Sequence, residues 1–569
     1  MQQELFKLLK SKYSEEQAIE QIASIGYLAT LEKRLKINHS LDFYTREKFN
    51  EKALELSRKV ESSFSEIIKD IIVSGIIDCG IEAQAVYSRL IKMSYSDLVK
   101  LITEKLFIPE EMSLRVSDSL SSYDVSKLTL SLFEDSSTKT IIDLCSGAGN
   151  FLVQAVKENS LVNVRGIELR NRSAILSKIR LSLLDANFMV SESNVLNCSM
   201  KREFDLVFSN YPWNMKLVHT PEEDQNPRMS TTDIKMKSDW AFVAKAINSF
   251  SAKGKAVVLI SDGCLFNKVD EKYRKEIINK GLLEMVIALP SGTMPGTNVS
   301  YSMLVFSENN TTIKLIDASD SYRKNIRQKR LDVEAVLNIV SNKDKNYKEI
   351  STKDIIEEDY CLDVGRYFQK KIIIPNPIKL REVASVFRGY SFNTKLNEEL
   401  GPGQGEYAIL KLSDIEDGEI NYDNLNSFNE ELSKVERFLL KEGDIVLTSR
   451  GPTLKIAIIK DITDLKIVAS ASLMVIRPIS EKMNPYYLYL FLTSDIGNVL
   501  IKRTQTGGII MVISKSTLCD MEVPLIDCET QEVVANRYKI LFQKLDEAKR
   551  QVKILQSKIS DIYSDLVGE

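Results

Sequence analysis

The chain has 569 residues, 44% hydrophobic and 27% charged, and this length favours three or four domains. The net charge of −3 gives no sign of nucleic-acid binding, which would need a local basic surface. Seven cysteines without a Cys-x-x-Cys pair, and only two histidines, disfavour a metal site and fit a reducing compartment. With no signal-peptide core and no apolar run of about 18 residues, we expect a soluble cytoplasmic protein without a membrane segment.

Residues 1–118 predict a helical N-terminal domain. Glycine and proline are sparse there, and apolar residues recur three and four positions apart, as at Val60 and Phe64. We find no candidate for chemistry in this part of the chain.

Residues 119–320 predict an α/β domain, because short β-rich runs alternate with helical patterns from residue 138 onward. Such alternation is typical of a mostly parallel sheet covered on both faces. We expect seven strands, and the last two close the sheet as an antiparallel hairpin. The predicted strands are 139–144, 162–167, 188–190, 204–208, 256–260, 283–289 and 301–306.

A glycine-containing turn follows the first strand and leads into a helical pattern. Its glycines let the backbone approach a ligand, and the helix N-terminus offers N–H groups to a carboxylate or phosphate. Glu168 ends the second strand 19 residues beyond Gly149, near the spacing of about 20 for a ribose-binding acid. The alternative role for Glu168 is a charge at a helix N-terminus. The candidate cofactor residues here are Asp143, Ser146, Gly147, Ala148, Gly149, Asn150, Phe151 and Glu168.

The fourth strand ends in Asn210, Tyr211, Pro212 and Trp213, which suit a flat, polar ligand. The amide can accept and donate a hydrogen bond, the proline stiffens the turn, and the ring offers a stacking face. The alternative for Trp213 is core packing. The polar stretch 219–237 is about twenty residues long, which in a compact domain predicts a mobile functional loop.

These motifs together resemble the S-adenosylmethionine-dependent amino-methyltransferases of DNA. The order, with the cofactor motif before the Asn-Pro-Pro-aromatic motif, is that of adenine-N6 enzymes. Segments 238–242, 256–260 and 288–292 resemble the modification subunit of type I restriction-modification systems, and the resemblance covers residues 1 to about 320. It rests on Asp143, Gly147, Gly149, Glu168, Asn194, Val195, Asn210, Pro212 and Trp213.

Three positions depart from the family pattern. Tyr211 stands where the family usually has proline, and Asn194 where it has aspartate. The family's Tyr-Thr-Pro segment is represented only by 123–126, so Tyr123 is the candidate cofactor residue there. Asn194 and Val195 complete the implied cofactor set.

The resemblance implies methyl transfer to the exocyclic nitrogen of an adenine flipped out of duplex DNA. The Asn210 side-chain oxygen and a backbone carbonyl of Tyr211 or Pro212 would accept the two amino hydrogens, which aims the lone pair at the methyl group. Trp213 would hold the flipped base on its face.

Residues 321–371 are charged and predict a connector, and residues 372–528 resemble one α+β target-recognition domain of a type I specificity subunit. Between 370 and 528 there are 19 lysine and arginine residues against 21 acidic residues, so DNA contact would need a local patch. An ordinary solvated surface is the alternative for each candidate. The candidates are Arg450, Lys455, Lys502, Arg503, Thr504 and Gln505.

Residues 529–569 predict a long coiled-coil helix, because apolar residues alternate three and four apart over four heptads. With one recognition domain and one such helix, we expect two copies to pair through this seam and read a split site with two-fold symmetry. The seam is Tyr538, Leu541, Leu545, Ala548, Val552, Leu555, Ile559, Ile562 and Leu566.

Three other functions stay open at this point. The chain could be a DNA-binding relative that has lost activity, with Tyr211 marking the loss. It could methylate RNA or a protein amide, although the recognition domain argues against this. A pyridine-nucleotide enzyme is disfavoured because nothing resembles a hydride-transfer site. Restriction would need a separate nuclease or translocase subunit, since no helicase phosphate loop is visible.

Overall fold

The protein is described from a computed structural model. The described residues are 2–37, 40–108, 121–133, 138–217, 219–224, 226–231, 236–294, 297, 299–324, 329–368, 374–391, 400–416, 418–451, 453–460, 462, 465–503, 505–506 and 511–567. The chain divides into two compact units, Met1–Gln369 and Lys370–Glu569, each with apolar cores of its own. Within the described residues, no helix combines the length and the apolar character needed to cross a bilayer.

The first unit begins with helices, as the sequence pattern predicts. Ser14, Thr45 and Ser94 cap three of them by accepting a backbone N–H from the first turn. The helices are α1 Gln2–Leu9, α2 Glu15–Arg34, α3 Arg46–Ser57, α4 Ser62–Ser74, α5 Ile81–Leu90 and α6 Tyr95–Thr103.

A large, mostly parallel sheet fills the rest of the first unit, and the predicted α/β class is confirmed. Its spatial order among described residues is β11-β8-β6-β7-β5-β4-β1-β2-β3. The predicted closing hairpin is present, because β7 runs antiparallel to both β5 and β6. The strands are β1 Thr140–Asp143, β2 Asn163–Glu168, β3 Asn187–Glu192, β4 Phe204–Ser209, β5 Phe250–Ser261, β6 Leu283–Ala288, β7 Tyr301–Phe306, β8 Thr312–Asp317 and β11 Tyr347–Ser351.

The prediction of seven strands and of a connector at 321–371 needs correction. The sheet has nine strands in the described part of the chain, because β8 pairs with β6 and β11 pairs with β8. The described part of the segment predicted as a connector is folded. It is rich in charge because β11 lies at the sheet edge and leaves side chains exposed. It also contains β9 Tyr322–Lys324 and β10 Lys329–Leu331.

Helices cover the sheet. They are α7 Tyr123–Leu132, α8 Asn150–Glu158, α9 Asn171–Ser182, α10 Ser238–Ser249, α11 Gly263–Phe266, α12 Glu271–Asn279, α13 Val333–Asn342, α14 Thr352–Glu357 and α15 Val364–Phe368. The apolar core of α1–α6 also takes in Ala148, Ile175 and Ile179 from the glycine turn and α9. The N-terminal helices therefore pack directly behind the predicted cofactor turn.

The second unit is built from small β-sheets and short helices. Its first and last strands, β12 Pro377–Lys379 and β25 Glu522–Pro524, pair antiparallel, so the fold starts and ends at one place. The elements between them are α16 Leu380–Val383, β13 Ala384–Arg388, β14 Tyr407–Leu410, β15 Ile415–Glu416, β16 Glu419–Ile420, β17 Ser427–Phe428, α17 Leu432–Val435, β18 Ile445–Thr448, β19 Arg450–Gly451, β20 Ile456–Ile458, β21 Ile467–Ala469, β22 Leu473–Pro478, α18 Pro485–Thr493, α19 Asp495–Arg503, β23 Gln505–Thr506, β24 Met511–Ile513 and α20 Lys515–Asp520. The long helix α21, Cys528–Val567, follows.

Candidate active site

The glycine turn after β1 has the backbone that its sequence predicts. Gly147 and Gly149 have φ of 52° and 84°, a region that favours glycine. A Cβ on Gly149 would lie 2.5 Å from Oγ and 3.3 Å from Cα of Ser177, so a larger residue would be strained at this positive φ. Helix α8 starts at Asn150, directly after the turn, and Ala148 and Phe151 are buried beneath it.

Glu168 lies at the carboxyl end of β2 with its side chain at the glycine turn. Its carboxylate accepts two hydrogen bonds of 2.8 Å, from the backbone N–H groups of Gly147 and Arg170. The bond from the Arg170 N–H lies at the start of α9. Glu168 therefore also places a negative charge at a helix N-terminus, which is the alternative role named above. Each carboxylate oxygen can accept more than one hydrogen bond, so capacity for ribose hydroxyls is retained.

Asp143 ends β1 and is 1% exposed. Its carboxylate accepts the Cys145 N–H at 3.1 Å. Burial, together with the smaller effect of the nearby Glu168 carboxylate, raises the pKa of Asp143 from 3.8 to about 7. Between about pH 4 and pH 7 the folded protein thus holds a proton on the Asp143 carboxyl that the unfolded chain has lost.

This pKa predicts a pH-dependent gain in stability for Asp143→Asn. Between pH 4 and pH 7 the folded protein binds the proton more tightly than the unfolded chain, so stability falls as pH rises through this window. The asparagine variant has no such penalty and can still accept the Cys145 N–H. The free energy of unfolding that Asp143→Asn gains over the wild type, measured with urea, should therefore be larger at pH 8 than at pH 4.5. A difference that is independent of pH would contradict the assigned pKa.

Asn194 and Val195 follow β3. The Asn194 side-chain oxygen accepts the Leu196 N–H at 3.0 Å and caps a short 3-10 turn, Val195–Asn197. Val195 is buried. The side-chain oxygen thus has one bond within the chain and a second lone pair for a ligand.

The four residues after β4 differ in exposure. Tyr211 is buried, with its ring stacked on Phe242 at 4.7 Å and 8° between planes, and burial raises its pKa. Pro212 is exposed. Trp213 is partly buried, and its indole N–H donates to the Leu259 carbonyl at 3.0 Å. That bond fixes the indole plane against β5, and the side chain stays partly exposed.

Ser121 joins the Asn210 side chain to the glycine turn, and the sequence did not predict this. The Asn210 side-chain N–H donates to Oγ of Ser121 at 3.2 Å, and the Ser121 carbonyl accepts from the Asn150 side chain at 3.0 Å. Strands β1 and β4 are neighbours, and the Leu144 N–H donates to the Phe208 carbonyl. The two predicted motifs therefore meet at one sheet edge.

Tyr123, the predicted cofactor residue at the start of α7, bonds to Gln154, whereas Asn210 bonds to Ser121. The Tyr123 side chain is 50% exposed, and its hydroxyl lies 3.5 Å from the Gln154 amide nitrogen. Two residues earlier, Ser121 is the residue that reaches the site. The available sequence signal was Ser121-Ser122 before a helical pattern, since Ser122 caps α7.

Two buried hydroxyls test whether the site fits a polar cofactor. Ser146 in the glycine turn and Ser209 at the end of β4 each have a buried Oγ without a hydrogen-bond partner among the described residues. Buried hydroxyls are usually bonded. Together with Glu168, they give the strand ends a donor and acceptor set that fits a ligand with an amino acid and a ribose.

The polar stretch 219–237 is anchored in its described part, contrary to the expected mobile loop. Asp224 and Lys245 form an ion pair of 2.7 Å with both side chains fully buried. The Arg228 guanidinium donates to the carbonyls of Ile247 and Phe250 and to Glu308. Polar composition here reflects a buried network, which sequence pattern does not distinguish from a solvated loop.

The DNA-contact candidates separate into two groups. Arg450 on β19 and Gln505 on β23 belong to one three-stranded sheet, and Arg450 and Lys502 are exposed. The Lys455 ammonium instead donates to the carbonyls of Leu412 and Ile415, at 3.1 and 2.6 Å, which holds it within the unit. Thr504 lies outside the described residues, as do the side chains of Arg503 and Gln505.

Helix α21 presents the predicted apolar seam. At about 1.5 Å per residue, its 40 residues span about 60 Å. Near its start, the Tyr538 ring packs against Tyr489 at 5.9 Å. Further along, the seam residues of known exposure are open to solvent, while the side chains of Ile562 and Leu566 lie outside the description. The exposed seam residues are Leu541, Leu545, Val552, Leu555 and Ile559, each 52–68% exposed.

The first unit thus contains a mostly parallel sheet in which β7 is reversed, with a glycine turn after the first strand. Residues 121–373 match the family model for N-6 DNA methylases, and residues 376–556 match the model for the type I restriction modification DNA specificity domain. The chain therefore carries an N-6 DNA methylase domain followed by a type I DNA specificity domain.

Known proteins agree with this division. The type I restriction enzyme MpnII methylase subunit of Mycoplasma pneumoniae is 25% identical over 279 residues, which cover 43% of this chain and 51% of the relative. The MjaVIII specificity subunit of Methanocaldococcus jannaschii is 29% identical over 216 residues, 36% of this chain and 48% of the relative. The chain thus spans about half the length of each of these relatives.

The fold has a counterpart among solved structures. A chain from a study of assembly and conformational transition of the type I restriction-modification system aligns with a TM-score of 0.50 at 13% identity. The alignment covers 65% of this chain and 90% of the other. At this identity the likeness establishes the fold.

Proposed function

We propose that the first unit transfers a methyl group from S-adenosylmethionine to the exocyclic amino group of an adenine in double-stranded DNA. The second unit would choose the site, within a restriction-modification or defence system in the cytoplasm. The observation that supports this most is the shared contact at Ser121, which joins the Asn210 amide to the glycine turn. Group transfer between two ligands requires that both are held close together. A cofactor-binding turn and a polar substrate-binding side chain at the same edge of the sheet meet this requirement.

When bound, S-adenosylmethionine supplies an electrophilic methyl group on sulfur. The chain's own contribution is to bind and orient. The Glu168 carboxylate would accept hydrogen bonds from the ribose hydroxyls of the cofactor. The Asn194 side-chain oxygen would accept one from the amino group of the cofactor's adenine. The other proposed cofactor residues are Tyr123, Asp143, Ser146, Gly147, Ala148, Gly149, Asn150, Phe151 and Val195.

Asn210 would position the substrate nitrogen. The adenine amino lone pair is delocalised into the ring, so the nitrogen is a poor nucleophile. The Asn210 side-chain oxygen and the carbonyl of Tyr211 or Pro212 would accept its two hydrogens and favour a pyramidal nitrogen. Orientation and preorganised acceptors then replace a strong base.

Trp213 would stack on the flipped base. A base inside the duplex cannot reach the strand ends, so the nucleotide must leave the stack. The indole is held at a fixed angle by its bond to the Leu259 carbonyl and by the Tyr301 ring at 5.7 Å. A ring fixed in this way offers a stacking surface that needs no ordering when the base arrives.

Methylation-sensitive sequencing of host DNA tests the proposed function. Cells that express the protein should carry N6-methyladenine at one recurring sequence, and cells that express Asn210→Ala should not. Equal methylation in both strains would refute the proposed role of Asn210. Absence of methylation in both would favour a DNA-binding relative without activity.

Tyr211 bears on that alternative. At this position proline is usual in the family, and an inactive relative would be free to change it. The Tyr211 ring, however, packs on Phe242 in the core. The larger side chain is therefore accommodated without filling the space beyond the carboxyl end of β4. Calorimetry with S-adenosylmethionine separates the two possibilities, because an inactive relative need not bind it.

We also propose that two copies pair through the exposed seam of α21 as a coiled coil. Five large apolar side chains at heptad spacing are more than half exposed in the single chain, and a partner helix would bury them. The pair would carry two recognition units and read a site with two-fold symmetry. A separate restriction subunit would join this assembly if the system cleaves DNA.

The pairing predicts that Leu555→Glu converts a dimer into a monomer, because it places a charge in the seam. Ser557→Glu is the matched control, since Ser557 lies two residues away on the opposite face of the helix. Light scattering should give twice the chain mass for the wild type and the control, and one chain mass for Leu555→Glu. A monomeric wild-type protein would exclude the pairing.

A further inference from the structure

A buried arginine lies between the N-terminal helices and the glycine turn. Arg180 on α9 is 3% exposed, and its acceptors are carbonyl and amide oxygens rather than a carboxylate. Nε and Nη2 donate to the Thr103 carbonyl, Nη1 donates to the Ala148 carbonyl at 2.6 Å, and the guanidinium lies 4.1 Å from the Phe107 ring centre. Burial lowers the pKa of Arg180 to about 9, so it remains a cation at neutral pH.

Hydrogen bonds lead from this cation to the Asn210 amide. Arg180 Nη1 donates to Oδ1 of Asn150 at 2.7 Å. A guanidinium only donates, so this bond fixes which end of the Asn150 amide faces it. The Asn150 nitrogen then donates to the Ser121 carbonyl at 3.0 Å, and Oγ of Ser121 accepts from the Asn210 nitrogen at 3.2 Å.

The structure places the nitrogen of the Asn210 amide, and not its oxygen, against Ser121. An asparagine amide has one oxygen, and a rotated amide would present N–H groups to an amino group that also donates. With its nitrogen bonded to Ser121, the Asn210 oxygen accepts no hydrogen bond from the described part of the chain. It is therefore available as an acceptor.

We propose that Ser121 is a positioning residue, held in place by Asn150 and Arg180, that orients the Asn210 amide with its oxygen toward the substrate. The proposal rests on the proposed function and adds a role for Ser121 and Arg180, which no motif contains. It also gives the N-terminal helices a part in catalysis, because Thr103 and Phe107 hold the far end of the network.

Steady-state kinetics of Ser121→Ala test the proposal. We expect kcat to fall about tenfold, while the KM and the calorimetric Kd for S-adenosylmethionine change by less than about twofold. Ser121→Thr keeps the hydroxyl and should restore most of kcat. Ser126→Ala is the matched control, because this buried serine donates to the Ser122 carbonyl within α7 and should leave kcat unchanged.

Asn210→Asp separates orientation from general damage. A carboxylate has two acceptor oxygens, so either face serves and the orienting bond is not needed. Ser121→Ala should then change kcat by less than about twofold in the Asn210→Asp protein. A crystal structure of Ser121→Ala should show Asn210 displaced from its wild-type position.

Three results would overturn the positioning role. These are an unchanged kcat in Ser121→Ala, the same tenfold loss in the Asn210→Asp background, and an unmoved Asn210 in the crystal structure. Failure of the proposed function looks different, because the wild-type protein would then transfer no methyl group and both proposals would fall. An active wild type with an unaffected Ser121→Ala would remove the positioning role alone.

Discussion

Replacement of Asn210 by alanine is expected to lower kcat/KM for methyl transfer to DNA by about 10² to 10³, the loss typical of removing one preorganised polar group at a reacting centre. The alanine has no oxygen to accept an amino hydrogen, so the substrate nitrogen is no longer held with its lone pair directed. Asn210 is only partly buried, so the fold should tolerate the change.

The measurement is transfer of a radiolabelled methyl group to duplex DNA that contains the recognised sequence. Asn187→Ala is the control, because Asn187 is an exposed asparagine at the start of β3, away from the carboxyl ends of the strands where the candidate site lies. Cofactor affinity by calorimetry should stay within about twofold in both variants. A variant that keeps more than about one tenth of the activity would show that Asn210 is dispensable.

Replacement of Asp224 by alanine is expected to destabilise the first unit by about 3 to 5 kcal/mol, because it leaves a buried ammonium without its countercharge. Lys245 Nζ would keep its bonds to the Cys198 and Glu222 carbonyls, at 2.7 Å each, but no carboxylate. The Asn248 side chain would also lose the acceptor that it contacts at 2.8 Å.

Urea unfolding of the full chain measures this loss as a shift of its midpoint. Glu222→Ala is the matched control, since the Glu222 side chain is exposed and only its backbone carbonyl contacts Lys245. It should change stability by less than about 0.5 kcal/mol. Removal of both charges, as Asp224→Asn with Lys245→Met, should cost less than Asp224→Ala alone. An Asp224→Ala protein as stable as the control would contradict the buried ion pair.

The sequence predicts the sheet well because its signal is local. The run 301–306 is apolar except for Ser302, and it forms β7 with the same limits. The glycine turn could likewise be located, because positive φ at Gly147 and Gly149 requires that residue type. The strands β8 and β11 were missed because polar and charged residues, partly buried in β8 and in part exposed in β11, dilute the apolar pattern.

The contacts that join the candidate site are not local, and for that reason the sequence did not reveal them. Ser121 and Asn210 are 89 residues apart, and Arg180 and Thr103 are 77 apart. One serine or one arginine carries no sign of a partner at that distance. Polar residues such as Asp224 also look solvated until the fold buries them, and this explains the wrong prediction of a mobile loop.

The pairing of β12 with β25 has a consequence for how such a protein can change its target. The first and last described strands of the second unit pair in one short two-stranded ladder, with Ile378 opposite Val523. A recombination event that exchanges residues 377–524 for those of a homologue has to match this ladder and the contacts with the start of α21, such as that of Tyr489 with Tyr538. This part of the second unit can thus be exchanged as a cassette, while the first unit and the rest of the long helix keep their sequences.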